Sequence, residues 1–232
     1  MSSTSPTPES AGRVFLLSPA NCSGRRAQHA LALKSQSSVA VKLRGADGVP
    51  IGELFAFMSG LYFRGKLTYA QRFATPPDRS NPIVGKGVYV ITPNAGLRGP
   101  DTPVTADAVR AFAAASVDVS NDGYRRPLER SARMLLDEIG DCEVVLLGSI
   151  ASPKYVDILL GIFGSRLCFP VDFVGRGDMS RGGLLLRQAA AGVELEYAPV
   201  EGAVRHGRRP PKLPPLRAGT IDNGSTRARS RR

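Results

Sequence analysis

The sequence predicts an α/β fold in three layers, a largely parallel or mixed sheet with helices on both faces. Three observations predict it. Short apolar runs recur along the chain, among them RVFLLS at 13–18, GVYVIT at 87–92 and EVVLLG at 143–148. Continuous rather than alternating apolar runs suit parallel strands buried on both faces. Segments with helical apolar spacing separate them, and strand–helix alternation defines this class. Each run also ends in a loop of Ser, Asn, Gly or Arg, and such sheets bind ligands at the carboxyl ends of their strands.

The first run opens the fold and leads into SPANCSGRRAQHAL, a polar loop followed by a helix. Ser18, Asn21, Ser23 and Gly24 favour a loop and offer hydrogen bonds, with Arg25 and Arg26 directly behind them. The loop lacks the GxxxxGK spacing of a phosphate-binding P-loop. Ser38 to Leu43 reads as a second short strand ending at the turn GADGVP.

Glu53 to Phe73 has a helical stripe of Leu54, Phe57, Met58, Leu61, Tyr62 and Leu67, which reads as core. Gly60 and Gly65 interrupt it, predicting a break or close packing. Arg64, Lys66 and Arg72 fall on the other side. The run at 87–92 then ends in PNAGLRGPDTPV, placing Asn94 at a second strand end. Thr105 to Ala115 reads as a helix with Asp107 in its first turn, where negative charge suits the dipole. Asn121 to Ile139 reads as another, with Leu128, Ala132, Leu135 and Leu136 buried. Pro127 is expected to disturb its start.

The run at 143–148 is the strongest strand signal. Ser149 lies just beyond it, Ser152 is a good N-cap and Pro153 suits the first helical position. A short strand at 166–169 leads into FPVDFVGRGDMSRGGLLLR, and Val193 to Tyr197 closes the set. In that segment Arg176 and Arg181 flank Asp178 and Ser180, among glycines at 175, 177, 182 and 183. Small residues let backbone N–H groups converge on an anion, and arginines add a planar fork for phosphate or carboxylate. The same composition suits a solvated turn between strands.

Three segments carry a resemblance: LLSPANCSGRRA at 16–27, FMSGLYFRGKLTYAQ at 57–71 and VYVITPNAGLRGPDTPV at 88–104. Together they resemble the YaaA-type peroxide-stress proteins and related bacterial domains of unknown function. The likeness covers 13–160 and does not extend to 169–199. It implies a cytoplasmic α/β protein and, in some members, DNA binding.

The 232 residues suit one core, flanked by polar ends. The expected organisation is a disordered leader at 1–12, a single α/β domain at 13–203 and a basic Pro- and Arg-rich tail at 204–232. The leader has no basic and apolar regions of a secretory signal. No apolar run approaches the roughly 20 residues that span a bilayer. The stretch 205–232 holds nine Lys or Arg and one Asp, so it supplies +8 of the chain's +11. Such a tail either holds nucleic acid electrostatically or serves as solvated charge. Cys22, Cys142 and Cys168 have no metal spacing and fit a reducing cytosol. Cys142 and Cys168 read as core, whereas Cys22 falls in the first strand-end loop.

The expected site joins the strand-end loops 18–25, 92–99 and 148–153 to the segment 175–183. Ser18, Asn21, Arg25, Asn94, Ser149, Arg176, Ser180 and Arg181 are its substrate-binding candidates. Asp178 is the catalytic candidate, since an ionised carboxylate can act as nucleophile or base in breaking a glycosidic bond. No metal is expected, and no cofactor, because no GxGxxG follows the first strand. The leading expectation is an enzyme acting on a nucleotide, a nucleoside or a base in nucleic acid. A non-catalytic DNA-binding protein and a small-molecule binding module are the alternatives.

Overall fold

The computed structural model describes residues 12–211 and 213. The expected leader apart from Gly12, and the tail beyond these residues, lie outside the described residues. A six-stranded sheet in the order β4-β3-β1-β6-β7-β8 forms the middle layer. β1 (Arg13–Leu17) lies at its centre, parallel to β3 (Val88–Ile91) on one side and to β6 (Glu143–Leu147) on the other. β7 (Leu167–Pro170) extends the parallel set. β4 (Leu97–Arg98) and β8 (Tyr197–Pro199) close the two edges in antiparallel sense. The predicted largely parallel three-layer sheet is thus present.

Alternate residues of β1 serve opposite faces. Phe15 and Leu17 enter a core with α1 (Arg25–Leu31), α2 (Ser38–Arg44), α3 (Ile51–Ser59), α4 (Leu61–Phe73), α5 (Ala106–Ala114) and α8 (Asp178–Ala191). Val14 and Leu16 enter the other, with α6 (Asp122–Glu138) and α7 (Pro153–Phe163). Full burial on both faces explains why β1 and β6 read as continuous apolar runs. β2 (Val49–Pro50) and β5 (Pro103–Val104) form a small antiparallel pair beside this sheet.

The chain leaves β1 for β3 on one flank and later returns to β6 on the other. Strand order therefore reverses between β1 and β6. At such a switch point the loops part in opposite directions and leave a crevice.

Several local expectations are corrected. The stretch 38–43 is helical, because Ser37 caps it by accepting the Ala40 N–H at 3.3 Å. Its apolar residues Val39, Ala40 and Leu43 then face the core. α6 runs unbroken through Pro127, whose carbonyl accepts from Ser131 Oγ at 2.9 Å. The break expected at Gly60, by contrast, is present: α3 and α4 meet there, and Gly60 adopts φ +61°, a conformation favoured by glycine.

The segment 175–183 is also not a turn between strands. α8 begins at Asp178, so Gly182 and Gly183 are helical. Gly182 is explained by contact with α4 rather than by an anion nest. A Cβ on it would come 2.8 Å from Leu61 O and from Tyr62 Cα, and one on Gly65 2.7 Å from Gly182 O. Gly182→Val is therefore expected to push α8 off α4 and cost about 1–3 kcal/mol. A thermal melt showing an unchanged Tm would contradict this close fit.

Candidate functional site

The close α4–α8 crossing brings the start of α8 over the switch point. A cleft of about 580 Å³ opens there, lined by Ser18, Asn21, Ser149 and Asp178 together with Tyr62, Lys154 and Tyr155. Ser18 directly follows β1, and its N–H donates to Leu147 O at 3.2 Å. Ser149 comes one residue beyond Gly148, after β6. Space is tight between them: a Cβ on Gly148 would meet the Tyr155 hydroxyl at 2.9 Å and Ser18 Cβ at 3.0 Å. The Tyr155 hydroxyl accepts from the Ser149 N–H at 3.1 Å.

Behind Ser18 stands Lys66 of α4, only 1% exposed. Its Nζ lies 2.6 Å from Ser18 O and 2.8 Å from Ser18 Oγ. It also sits over the rings of Tyr62 and Phe63, 4.5 and 4.8 Å from their centroids. Among the described residues no carboxylate forms an ion pair with it. Burial removes the water that stabilises an ammonium, and the Lys66 pKa is pushed down to about 7. Asp178 opposes that fall and Arg181 adds to it.

The tyrosine hydroxyls are held neutral. Burial raises the pKa of both Tyr62 and Tyr155, with the Arg181 charge opposing the rise in each. The Tyr62 hydroxyl is buried without a partner in hydrogen-bonding geometry, although Arg181 lies close by.

Asp178 opens α8 on the rim of the cleft, its side chain 69% exposed. It is the one carboxylate among the lining residues. Asn21 is exposed, and its Oδ1 accepts from the N–H and hydroxyl of Ser23 at 2.9 and 2.8 Å. Ser152 caps α7 by accepting the Lys154 N–H at 3.5 Å, which points that helix's N-terminus toward the cleft mouth.

The other expected residues lie elsewhere. Arg181 is 8% exposed and donates to Phe173 O from Nε at 3.2 Å and Nη2 at 3.0 Å. Arg176 donates to Asp172 O at 2.9 Å and to Ser180 Oγ at 3.4 Å. Both arginines thus tie down the chain that leads into α8. Arg176 and Ser180 line a neighbouring pocket with Pro210 and Leu213. Arg176 and Arg181 also line a basic one with Arg205, His206 and Arg209. Arg25 is exposed at the start of α1 and Asn94 is half-buried beyond β3, neither on the cleft wall. The loop 92–99 therefore contributes no lining residue.

Cys22 is buried, its thiol directed to Ala20 O at 3.5 Å. Burial pushes that thiol up to about 12, so it stays protonated and unreactive. His29 lies apart, stacked on Phe57 and 3.1 Å from Ser35 Oγ. Among the described residues no three His, Cys, Asp or Glu side chains gather as a metal site, and no helix is long and apolar enough to cross a membrane.

Lys66 is the main residue that the sequence reading misplaced, on the far side of its helix. The spacing held a signal. Lys66 falls three residues after Phe63, four after Tyr62 and three before Tyr69, all buried. A lysine on a buried stripe of that kind marks either a satisfied anchor or a tuned base.

No protein-family model, curated protein or solved structure matches the chain. The likeness to YaaA-type proteins therefore stands on its three segments alone.

Proposed function

We propose that the chain is a nucleotide-directed enzyme whose substrate occupies the cleft between β1 and β6. The observation that carries this reading is the lining. Ser18, Ser149, Ser152, Tyr62 and Tyr155 line one space together with Asp178 and Lys154. Hydroxyls and a carboxylate suit a sugar, because they accept and donate to its hydroxyl groups. Lys154 at the start of α7 suits a phosphate, which a lysine and a helix N-terminus both favour.

Asp178 is better placed to hold a ribose diol than to attack its anomeric carbon. Glycosidic cleavage with two carboxylates needs a second acid across the bond, and Asp178 has none among the lining residues. Titration calorimetry with a panel of nucleoside monophosphates tests the reading. Asp178→Asn is expected to weaken binding about tenfold or more, since hydrogen bonds to charged groups contribute roughly 1.5–3 kcal/mol. Equal affinity for the ribonucleotide and for inorganic phosphate would overturn the assignment.

Nucleic acid is a second possible source of the same phosphate-bearing ligand. The observation that favours it is the basic pocket beside the cleft, where Arg205, His206 and Arg209 join Arg176 and Arg181. Binding through these residues would fall steeply with salt. Binding by a truncation at residue 204 that matches the full chain at equal salt would exclude them.

A further inference from the structure

The mechanism so far leaves Lys66 unused. It is fully buried, among the described residues it forms no ion pair with a carboxylate, and the side chain to which its Nζ hydrogen-bonds is that of Ser18. Ser18 is 7% exposed and belongs to the cleft lining. The Ser18 hydroxyl is otherwise held only by a weak 3.3 Å bond to Leu147 O and by the neighbouring Tyr155 hydroxyl. A buried amine against a hydroxyl at the wall of a ligand cleft has the geometry of a base and its nucleophile.

We propose that Ser18 is a nucleophile activated by Lys66, and that it attacks the phosphorus of a phosphoester held in the cleft. The inference rests on the nucleotide reading for its substrate, and it adds the reacting group. Neutral Lys66 keeps one N–H on Ser18 O and turns its lone pair to the Oγ proton. The Oγ–H bond breaks, its proton passes to Nζ, and an Oγ–P bond forms. The P–O bond to the leaving group breaks with its electron pair, and the leaving oxygen takes the proton from Nζ. Water then attacks the same phosphorus and gives a proton to Nζ. Ser18 Oγ departs and recovers that proton, so the balance is hydrolysis of one phosphoester. Lys154, Ser149 and Ser152 line the same cleft and would receive the charged phosphoryl oxygens.

The charged groups facing Lys66 are few. Asp178 and Arg181 act from α8 in opposite senses. Tyr62 on its own helix and Tyr155 on α7 stay neutral. Loss of the Lys66 proton near neutral pH should therefore govern the reactivity of Ser18.

Diisopropyl fluorophosphate is the probe, with the full chain and mass spectrometry of its peptides. One adduct on Ser18 is expected, with fluoride as leaving group. Its rate should rise with pH to a plateau, with a midpoint near 7. Lys66→Met should slow labelling about 10²–10⁴-fold with circular dichroism unchanged. Ser18→Ala should take no adduct at that peptide. If Lys66→Met does not fold, the wild-type pH profile decides alone. No adduct on Ser18, a pH-independent rate or an undiminished rate in folded Lys66→Met would each overturn the inference. Those results would leave Lys66 as a structural anchor for the Ser18 carbonyl. Nucleotide binding with an inert Ser18 fails this inference alone, whereas a labelled Ser18 without nucleotide binding fails the proposed function alone.

Discussion

Folding stability is expected to rise between pH 7 and pH 9 by about 2–3 kcal/mol relative to the Lys66→Met variant, because buried Lys66 loses its proton over that range. A lysine whose folded-state pKa lies near 7, below its unfolded value, binds fewer protons folded than unfolded between the two. Stability therefore increases with pH across that window, at most about 1.4 kcal/mol per unit. Below pH 7 the folded chain carries the full cost of a buried ammonium. For other groups the sign is opposite. The Cys22 thiol and the buried tyrosines keep their protons when folded and lose them when unfolded. Both proteins carry these groups, so the difference between them isolates Lys66. Denaturant titrations of both proteins at several pH values make the measurement. Parallel stability curves would mean that Lys66 stays charged in the folded protein.

Arg181 and Asp178 are expected to part company on substitution. Arg181→Met should lower stability by about 3 kcal/mol, since two charge-assisted bonds to the buried Phe173 carbonyl disappear. For a chain of this size that is a Tm decrease of about 6–12 °C. Asp178→Asn should leave the Tm nearly unchanged, because its carboxylate is mostly exposed to screening water and its contact with Arg181 is long, at 3.5 Å. The melts are read beside the nucleotide titrations. If Asp178→Asn unfolds early and binds normally, Asp178 belongs to the scaffold. If Arg181→Met melts at the wild-type temperature, the bonds to Phe173 hold nothing together.

Much of the central layer was legible because burial on both faces leaves a simple mark. β1, β3 and β6 carry uninterrupted apolar runs, and their order with the intervening helices implied a mostly parallel sheet. A cap was legible where chemistry is local: Ser152 starts its helix as its side chain predicts. The stretch at 38–43 was not, because alternating small apolar residues fit a strand as well as one helix face, and only the Ser37 cap separates them. α8 was hidden by its glycines. Glycine lowers helix propensity, so a segment with Gly182 and Gly183 reads as a turn until α4 is known to press against it.

The site was legible in the same uneven way. Ser18, Asn21 and Ser149 follow strand ends, so a parallel sheet brings them to one edge. Asp178 joins them, though as the first residue of a helix rather than the tip of a turn. Arg176 and Arg181 were chosen for their charge, and the structure uses that charge on backbone and side-chain oxygens of its own chain. Lys66 lies within a helix, and only the packing of α4 against the sheet shows that it reaches Ser18.

The central claim is that the β1–β6 switch point holds the ligand. A crystal structure of the protein soaked with a ribonucleoside monophosphate tests it most directly. The account predicts a nucleotide with its sugar against Asp178, its phosphate beside Lys154 and its phosphorus within reach of Ser18 Oγ. A nucleotide bound instead among Arg176, Arg205 and Arg209, with the cleft empty, would contradict it.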